Sequence, residues 1–244
     1  MLNYKITIQY DGTNYHGWQM QPSDRTIQGE LTRALSLLDH RHVTVHGAGR
    51  TDAGVHAEGQ VASFLLKRDC EPRYLRDAIN GNLDRDIRVV DVETVAESFN
   101  ARFSARLKTY RYQIWNGPVA SPFFHRYAYH HRNDLDLEEM RRAASALVGT
   151  HDFSAFTVQD CEVEDRVRAL KCLDVQRKEN RIIVLAAADG FRRYMVRTIV
   201  GTLIEAGSGR RAAESIARVL ESRDRRNAGA KAPACGLTLM RVDY

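Results

Sequence analysis

Apolar residues recur along the chain with two different periods, and the change from one to the other predicts the order of the elements. Every second residue from Tyr4 to Tyr10 is apolar, which is the pattern of a strand buried on one face. Over 27–38 the apolar residues fall three or four apart, and Thr26 stands where a helix N-cap is expected. These patterns predict the order β-α-β-β-α-β, with strands at 4–10, 43–48, 60–66 and 87–95 and helices at 27–38 and 72–83.

The second half of the chain repeats this order with a different sequence. A helix is predicted to begin at Asp136, with Glu139 three places further on as in a capping box. A strongly apolar segment at 191–206 predicts another helix, and an additional helix is predicted at 212–220. The strands of this half are predicted at 108–115, 167–177, 181–188 and 237–242.

Two successive β-α-β-β-α-β halves predict an α+β protein built from two ferredoxin-like units. We expect a mostly antiparallel sheet, with the helices on one face and a central active-site cleft for a large ligand. The segment 97–107 is the natural join. The predicted domains are residues 1–105 and residues 106–244.

Composition places this fold among cytoplasmic proteins. The chain has 244 residues, of which 43% are hydrophobic, and no apolar run approaches the ~20 residues that span a membrane. The N-terminus runs directly into a strand pattern and lacks the features of a signal peptide. None of the four cysteines (Cys70, Cys161, Cys172 and Cys235) forms a C-x-x-C pair, so zinc and redox motifs have no support.

The net charge of +5 is modest, but the basic residues cluster and alternate with aromatic ones. Arg111 lies between Tyr110 and Tyr112, and Arg193 stands beside Tyr194. Such a mixture suits a polyanion whose bases can stack, which indicates nucleic-acid binding. Solvated charge on helix faces explains the same pattern and stays open.

A loop at 49–57 places one carboxylate, Asp52, directly after Arg50 and Thr51 and between two glycines. Gly49 and Gly54 let the backbone turn sharply and approach a ligand closely. An aspartate held in this way can act as a nucleophile, a base or an ion-pair partner. An ordinary surface turn, in which Asp and Gly are common, is the alternative.

Other motifs give weaker support for a function than this loop does. Gly47-Ala48-Gly49 follows a strand, but Asp52 stands where a dinucleotide-binding loop needs its third glycine. The three histidines that precede the loop lack a Cys, Asp or Glu at metal-ligand spacing, so no metal site is predicted; they are His40, His42 and His46. No G-x-S-x-G segment supports a serine hydrolase.

Two residues of the second half stand out from their elements. Arg197 lies off the polar arc of its apolar helix, and a buried guanidinium needs a carboxylate or phosphate partner. Asp52 would be a suitable partner if the halves face each other, while a snorkelling arginine is the alternative. Tyr110 shares a strand face with Tyr112 and Ile114, which fits either core packing or stacking on a base.

Eight segments together closely resemble the tRNA pseudouridine synthase A (TruA) family. They occur in order and span nearly the whole chain: residues 10–19, 26–31, 50–57, 101–105, 108–112, 151–153, 195–201 and 234–237.

The resemblance implies roles for particular residues. The catalytic aspartate of the family falls on Asp52, its substrate-contacting tyrosine on Tyr110 and its active-site arginine on Arg197, while Arg50 in the same catalytic motif is expected to bind substrate. Family members form homodimers, bind the anticodon arm of tRNA, and convert uridine to pseudouridine at positions 38, 39 and 40. The reaction needs no cofactor and no metal.

The resemblance leaves the catalytic step open. The C1′–N1 bond breaks, the uracil rotates, and C5 bonds to C1′; Asp52 can attack C1′, add to C6 of the uracil, or take the 2′ proton. A non-catalytic RNA-binding protein of paired ferredoxin-like units is the first alternative function. A metal-dependent nuclease that uses Asp52 and the nearby histidines is the second.

Overall fold

The computed structural model describes residues 1–158 and 165–244, so Cys161 lies outside the described residues. The chain forms two compact units, one of Met1–Arg106 together with Leu239–Tyr244, and one of Leu107–Thr238. Across the described residues there are five α-helices, and most strand pairs are antiparallel, while one pair near the middle of the chain is parallel. The protein is therefore α+β with a mostly antiparallel strand arrangement, as the sequence predicts.

The first unit follows the predicted order. It contains β1 (Leu2–Tyr10), α1 (Ile27–Asp39), β2 (His46–Gly47), β3 (His56–Leu66), α2 (Pro72–Gly81), β4 (Ile87–Val95) and the part of β10 (Leu237–Asp243) from Leu239 onward. Its strands lie in the order β4-β1-β3-β10, and β2 pairs with β3.

Local signals account for most of these elements. The side chains of Tyr4, Ile6 and Ile8 are fully buried, so the period-two pattern of β1 points its apolar face into the core. Thr26 caps α1, since its Oγ1 accepts from the backbone N–H of Gly29 at 3.2 Å. In α2 a proline occupies the first turn, where its missing N–H costs nothing.

The strand predicted at 43–48 is shorter than expected, because only His46–Gly47 pairs with β3. The backbone N–H of Val43 donates instead to Oγ of Ser36, and the carbonyl of Val45 accepts from Nε2 of Gln28. Side chains of α1 thus satisfy groups that a strand partner would otherwise take. The following strand begins at 56 rather than 60.

The second unit contains β5 (Leu107–Asn116), β6 (Tyr129–His131), α3 (Leu137–Ser145), β7 (Gly149–Asp152), β8 (Val167–Lys178), β9 (Arg181–Ala188), α4 (Met195–Gly207) and α5 (Ser215–Ser222). Its strand order is β5-β9-β8-β7, with β6 parallel to β5. The short strands β6 and β7 have too few residues for a period to be read from the sequence.

Two helix starts in this unit differ from the prediction. The apolar helix begins at Met195 rather than at 191, because Tyr194 has φ 64° and ψ 1°, a left-handed conformation that a right-handed helix cannot include. The next helix begins at Ser215 rather than 212. Asp136 caps α3 as predicted, accepting from the N–H groups of Glu138 and Glu139. Among the described residues no helix is long and apolar enough to cross a membrane.

Candidate active site

The Asp52 loop is a tight turn between β2 and β3. The backbone N–H of Val55 donates to the carbonyl of Asp52 at 3.1 Å. Gly54, the third residue of this turn, has φ 77°, which a residue with a side chain rarely adopts. The predicted need for glycine is therefore confirmed at 54, whereas Gly49 is not among the described residues with positive φ.

A second loop of the first unit lies against this turn, backbone to backbone. A Cβ at Gly12 would lie 2.0 Å from the carbonyl oxygen of Val55, and one at Gly17 would lie 2.6 Å from that of Thr51. The N–H of Trp18 also donates to the carbonyl of Thr51 at 3.0 Å. Because Gly12 and Gly17 lack a Cβ, this second loop can pack directly against the backbone around Asp52.

Buried side chains support the turn from the strand side. The hydroxyl groups of Tyr10 and Thr51 lie 2.9 Å apart, and Nε2 of Gln60 donates to the carbonyl of Gly49 at 2.9 Å. Burial raises the pKa of Tyr10 to about 12, although its hydrogen bonds with Thr51 and Gln60 lower it. The phenol therefore stays neutral and supports the loop throughout the physiological range.

His56, directly after the turn, connects the two loops. Its Nδ1 accepts from the backbone N–H of Gly12 at 3.1 Å and lies 3.2 Å from Oδ1 of Asp11. Only 3% of His56 is exposed. Within this frame Asp52 is half-buried and Arg50 is exposed, so a side chain carried by a rigid loop still reaches the surface.

Arg197 lies in the first turn of α4 in the second unit and is only 8% exposed. Its Nε donates to the carbonyl of Ala232 at 2.8 Å, and the N–H of Ala232 donates back to the carbonyl of Arg197 at 3.0 Å. The sequence predicted a partly buried guanidinium, and the burial is confirmed. This reciprocal pair holds the base of the side chain in one orientation.

The segment that carries Ala232 lies closely along α4. A Cβ at Gly201 would lie 1.7 Å from the carbonyl oxygen of Ala230, so only glycine permits this approach. The N–H of Gly229 donates to Oγ1 of Thr202 at 2.9 Å. Sequence reasoning missed this support, although a glycine and a threonine soon after Arg197 on the same helix, Gly201 and Thr202, were a usable signal.

Tyr110 lies on β5 of the second unit and is 7% exposed. Its ring packs edge-on against that of Phe191, with the centroids 5.2 Å apart and the planes at 88°. On the same strand face Tyr112 is fully buried and donates its hydroxyl to the carbonyl of Pro233 at 2.8 Å. Tyr112 is thus a core residue, while Tyr110 lies at the margin of the core.

Arg197 acts electrostatically on its surroundings in this unit. Burial raises the pKa of the Cys235 thiol, and the charge of Arg197 opposes that rise. Burial likewise raises the pKa of Tyr112, again opposed by Arg197. Both neighbours are neutral at physiological pH, so neither of them offsets the positive charge of the guanidinium.

The structure thus places Asp52 and Arg50 in the first unit and Tyr110 and Arg197 in the second. The histidines that precede the Asp52 loop are exposed; they are His40, His42 and His46. In the ranges 1–158 and 165–244 no group of three or more His, Cys, Asp or Glu residues could hold a metal ion.

Known proteins resemble this chain along its whole length. A model of a family described as tRNA pseudouridine synthase matches residues 6–104 and 143–244. The chain is 43% identical over 244 residues to tRNA pseudouridine synthase A of Acetivibrio thermocellus and to that of Brevibacillus brevis, covering all of both proteins in each case. It is 44% identical over 245 residues to tRNA pseudouridine synthase A of a Methylobacterium species (strain 4-46), covering 100% of this chain and 98% of the relative.

The residues matched by the family model include the Asp52 loop and the first turn of α4, so these matches define the class of protein. The chain belongs to the tRNA pseudouridine synthase family, whose members are isomerases that act on uridine in tRNA.

Proposed function

We propose that this isomerase converts uridine to pseudouridine in the anticodon stem-loop of tRNA, at positions 38, 39 and 40, with Asp52 as the catalytic carboxylate. The observation that carries the proposal is the construction of the Asp52 loop. Two glycines admit direct backbone packing beside the turn, and the carboxylate that this support holds is half-buried. A chain that needed only a surface turn would not require such support.

The proposed reaction needs one well-positioned carboxylate from the protein. The C1′–N1 bond breaks, the uracil rotates, C5 bonds to C1′, and the proton of C5 is released while N1 gains one. Atoms and electrons balance without an oxidant, so an ionised Asp52 suffices whether it attacks C1′, adds to C6 or takes the 2′ proton. The uridine must first leave its stack, at a cost of a few kcal/mol.

Three further residues are proposed to bind the substrate. The ring of Tyr110 stacks on the uracil, for which its place at the margin of the core and its edge-on support from Phe191 are suited. Arg197 provides a buried positive charge whose Nε already has a partner in Ala232. Arg50 is exposed and adjacent to the turn, where its guanidinium can bind a phosphate of the substrate.

The remaining proposals concern the whole protein. We propose two ferredoxin-like halves, 1–105 with the aspartate loop and 106–244 with the tyrosine and the arginine. The first half has the β-α-β-β-α-β order, and the second has that order with the short strands β6 and β7 and the helix α5 added. We further propose a homodimer in the cytoplasm, where tRNA is found. Sedimentation of the purified protein tests the dimer, and a mass of one 27.7 kDa chain would contradict it.

Mapping of pseudouridine in tRNA tests the proposed function. Purified protein is incubated with a transcript that carries uridine at positions 38, 39 and 40, and with a matched transcript that carries cytidine there. We expect pseudouridine at those three positions in the first transcript and none in the second, with full activity in excess chelator. A protein that binds tRNA without modifying it, or that modifies another region, would contradict the proposal.

A further inference from the structure

Tyr194 has an unusual backbone conformation. It directly precedes α4 with φ 64°, and bulky residues adopt such a conformation only where their surroundings enforce it. The flanking chain provides this enforcement. The hydroxyl of Thr157 donates to the carbonyl of Arg193 at 2.9 Å, and the N–H of Thr198 donates to the carbonyl of Tyr194 at 2.9 Å. The position of the ring is therefore determined by the fold.

Three cationic side chains converge on this one half-buried ring. Nζ of Lys231 lies 3.7 Å from the ring centroid, Cζ of Arg193 lies 4.9 Å from it, and Cζ of Arg197 lies 5.6 Å from it. The guanidinium of Arg193 also donates to the hydroxyl of Tyr194 at 3.1 Å. The negative face of an aromatic ring attracts each cation and holds them close together despite their mutual repulsion.

Two of these cations are exposed, namely Arg193 and Lys231. Within residues 1–158 and 165–244 neither of them takes part in an ion pair. Nearby arginines differ in this respect, since Arg192 lies 3.7 Å from a carboxylate oxygen of Asp165 and Arg211 lies 2.9 Å from one of Glu205. The fold thus brings Arg193 and Lys231 to one ring, and in the described part of the chain neither of these two cations has an acidic partner.

The segment that presents Lys231 is fixed as firmly as the ring. Its neighbour Ala232 exchanges two hydrogen bonds with Arg197, and Gly201 allows Ala230 to lie directly on α4. Two segments remote in sequence thus bring the two exposed cations against the same ring, where one small anionic group can contact both.

We propose that Arg193 and Lys231, held against the ring of Tyr194, form a binding site for one backbone phosphate of the tRNA substrate. Phosphate is the anion that RNA presents at every nucleotide, and contacts to it position the RNA without reading its sequence. The proposal rests on tRNA as the substrate, but it does not depend on the catalytic role of Asp52 or on which uridines are modified.

The salt dependence of tRNA binding tests this site. Equilibrium binding is measured over a range of salt concentrations for the parent protein, Arg193→Ala, Lys231→Ala and the double variant. Binding of each phosphate releases counterions, so loss of the one proposed phosphate contact in the double variant is expected to reduce the magnitude of the slope of log affinity against log salt by about 0.7–0.9. At low salt each single alanine variant is expected to bind tRNA on the order of tenfold more weakly. Lys231→Arg keeps the positive charge and is expected to show the parent slope.

A matched control separates this site from net charge alone. Arg76 lies in the first unit, and its Nη2 is 2.9 Å from a carboxylate oxygen of Asp77. Arg76→Ala removes the same charge and is expected to keep the parent slope. Asp52→Asn is also expected to keep the parent salt slope, whether or not that variant forms pseudouridine. The binding assay therefore tells failure of the catalytic proposal apart from failure of the phosphate site.

Two results would overturn the proposal. The first is a double variant with the parent slope, or with a loss that Arg76→Ala reproduces. The second concerns the source of the phosphate. If millimolar inorganic phosphate stabilises the parent protein against unfolding more than chloride of equal ionic strength, and the double variant loses that effect while tRNA binding is unchanged, the site holds free phosphate rather than RNA.

Discussion

Gly12 and Val55 are in direct backbone contact, so that a Cβ on Gly12 would lie 2.0 Å from the carbonyl oxygen of Val55. Gly12 belongs to the loop after β1, and Val55 ends the turn that begins at Asp52. The position of the proposed catalytic carboxylate therefore depends on the absence of a side chain 40 residues earlier in the sequence. This contact, together with the surroundings of Arg197 and Tyr110, determines the expected effects of the substitutions below.

Gly12→Ala is expected to displace the Asp52 loop. The added methyl group overlaps a backbone carbonyl rather than a flexible side chain, so we expect the unfolding free energy to fall by about 1–3 kcal/mol. A shift of about 1 Å at the carboxylate can lower kcat on the order of 100-fold. Kinetics at saturating tRNA, together with chemical denaturation, measures both effects.

Gly81→Ala is the matched control for this substitution. Gly81 ends α2, and a Cβ there would meet nothing within 4 Å. We expect a gain of about 0.4–1 kcal/mol in unfolding free energy and parent kcat, because alanine restricts the unfolded chain without strain. Equal losses of kcat in both variants would show that the loop contact has no special role.

Arg197→Lys tests whether the guanidinium or only its charge is needed. Lysine lacks the Nε–H that donates to Ala232 and the planar fork that binds an anion with two bonds. We expect kcat to fall on the order of 100-fold to 1000-fold. Arg197→Ala should lose as much activity and also about 1–3 kcal/mol of stability, since the Ala232 carbonyl is left buried without its donor. If either variant kept the parent kcat, the assignment of Arg197 to the proposed active site would be wrong.

Tyr110→Leu and Tyr110→Phe separate stacking from the hydroxyl group. Stacking contributes about 1–3 kcal/mol per base, so the leucine variant should bind tRNA more weakly by roughly tenfold to 100-fold. The phenylalanine variant keeps the ring and its contact with Phe191 and should bind within about threefold of the parent. Tyr112→Phe, which loses its hydrogen bond to Pro233, is the control that should lose stability and keep its affinity. Equal binding losses for leucine and phenylalanine at 110 would contradict stacking.

Stability at acid pH is expected to depend on Asp152. Burial raises the pKa of this carboxyl, but hydrogen bonds from Ser154 and the charge of Arg223 outweigh that effect and lower it overall. Because the folded pKa lies below the unfolded value of about 3.9, the stabilisation is fully present above that value and is lost as pH falls through the folded pKa. Ser154→Ala should therefore lose more stability at neutral pH than at a pH below the lowered pKa of Asp152. A loss independent of pH would contradict this assignment.

Much of the fold could be predicted because its signals are local. The buried period of β1 and the Thr26 cap of α1 lie within a few residues of the elements that they specify. The errors arose where a distant group competes with local pattern. Ser36 takes the N–H of Val43 that a longer β2 would use, and the enforced conformation of Tyr194 delays the start of α4.

The candidate site divides in the same way. The need for glycine at 54 follows from the local turn, and the burial of Arg197 follows from its place on an apolar helix. The packing of Gly12 against Val55 and the support of Arg197 by Ala232 join segments far apart in sequence. A single sequence carries no distance information of that kind, so only the folded chain reveals these contacts.

The most direct test of the central claim is tritium release from tRNA labelled at C5 of uridine, measured for the parent protein and for Asp52→Asn. The amide keeps the size of the side chain and cannot act as a nucleophile or a base. We expect Asp52→Asn to release no tritium while it binds tRNA with parent affinity and keeps the parent unfolding free energy. Tritium release at the parent rate by this variant would contradict the assignment of Asp52 as the catalytic carboxylate.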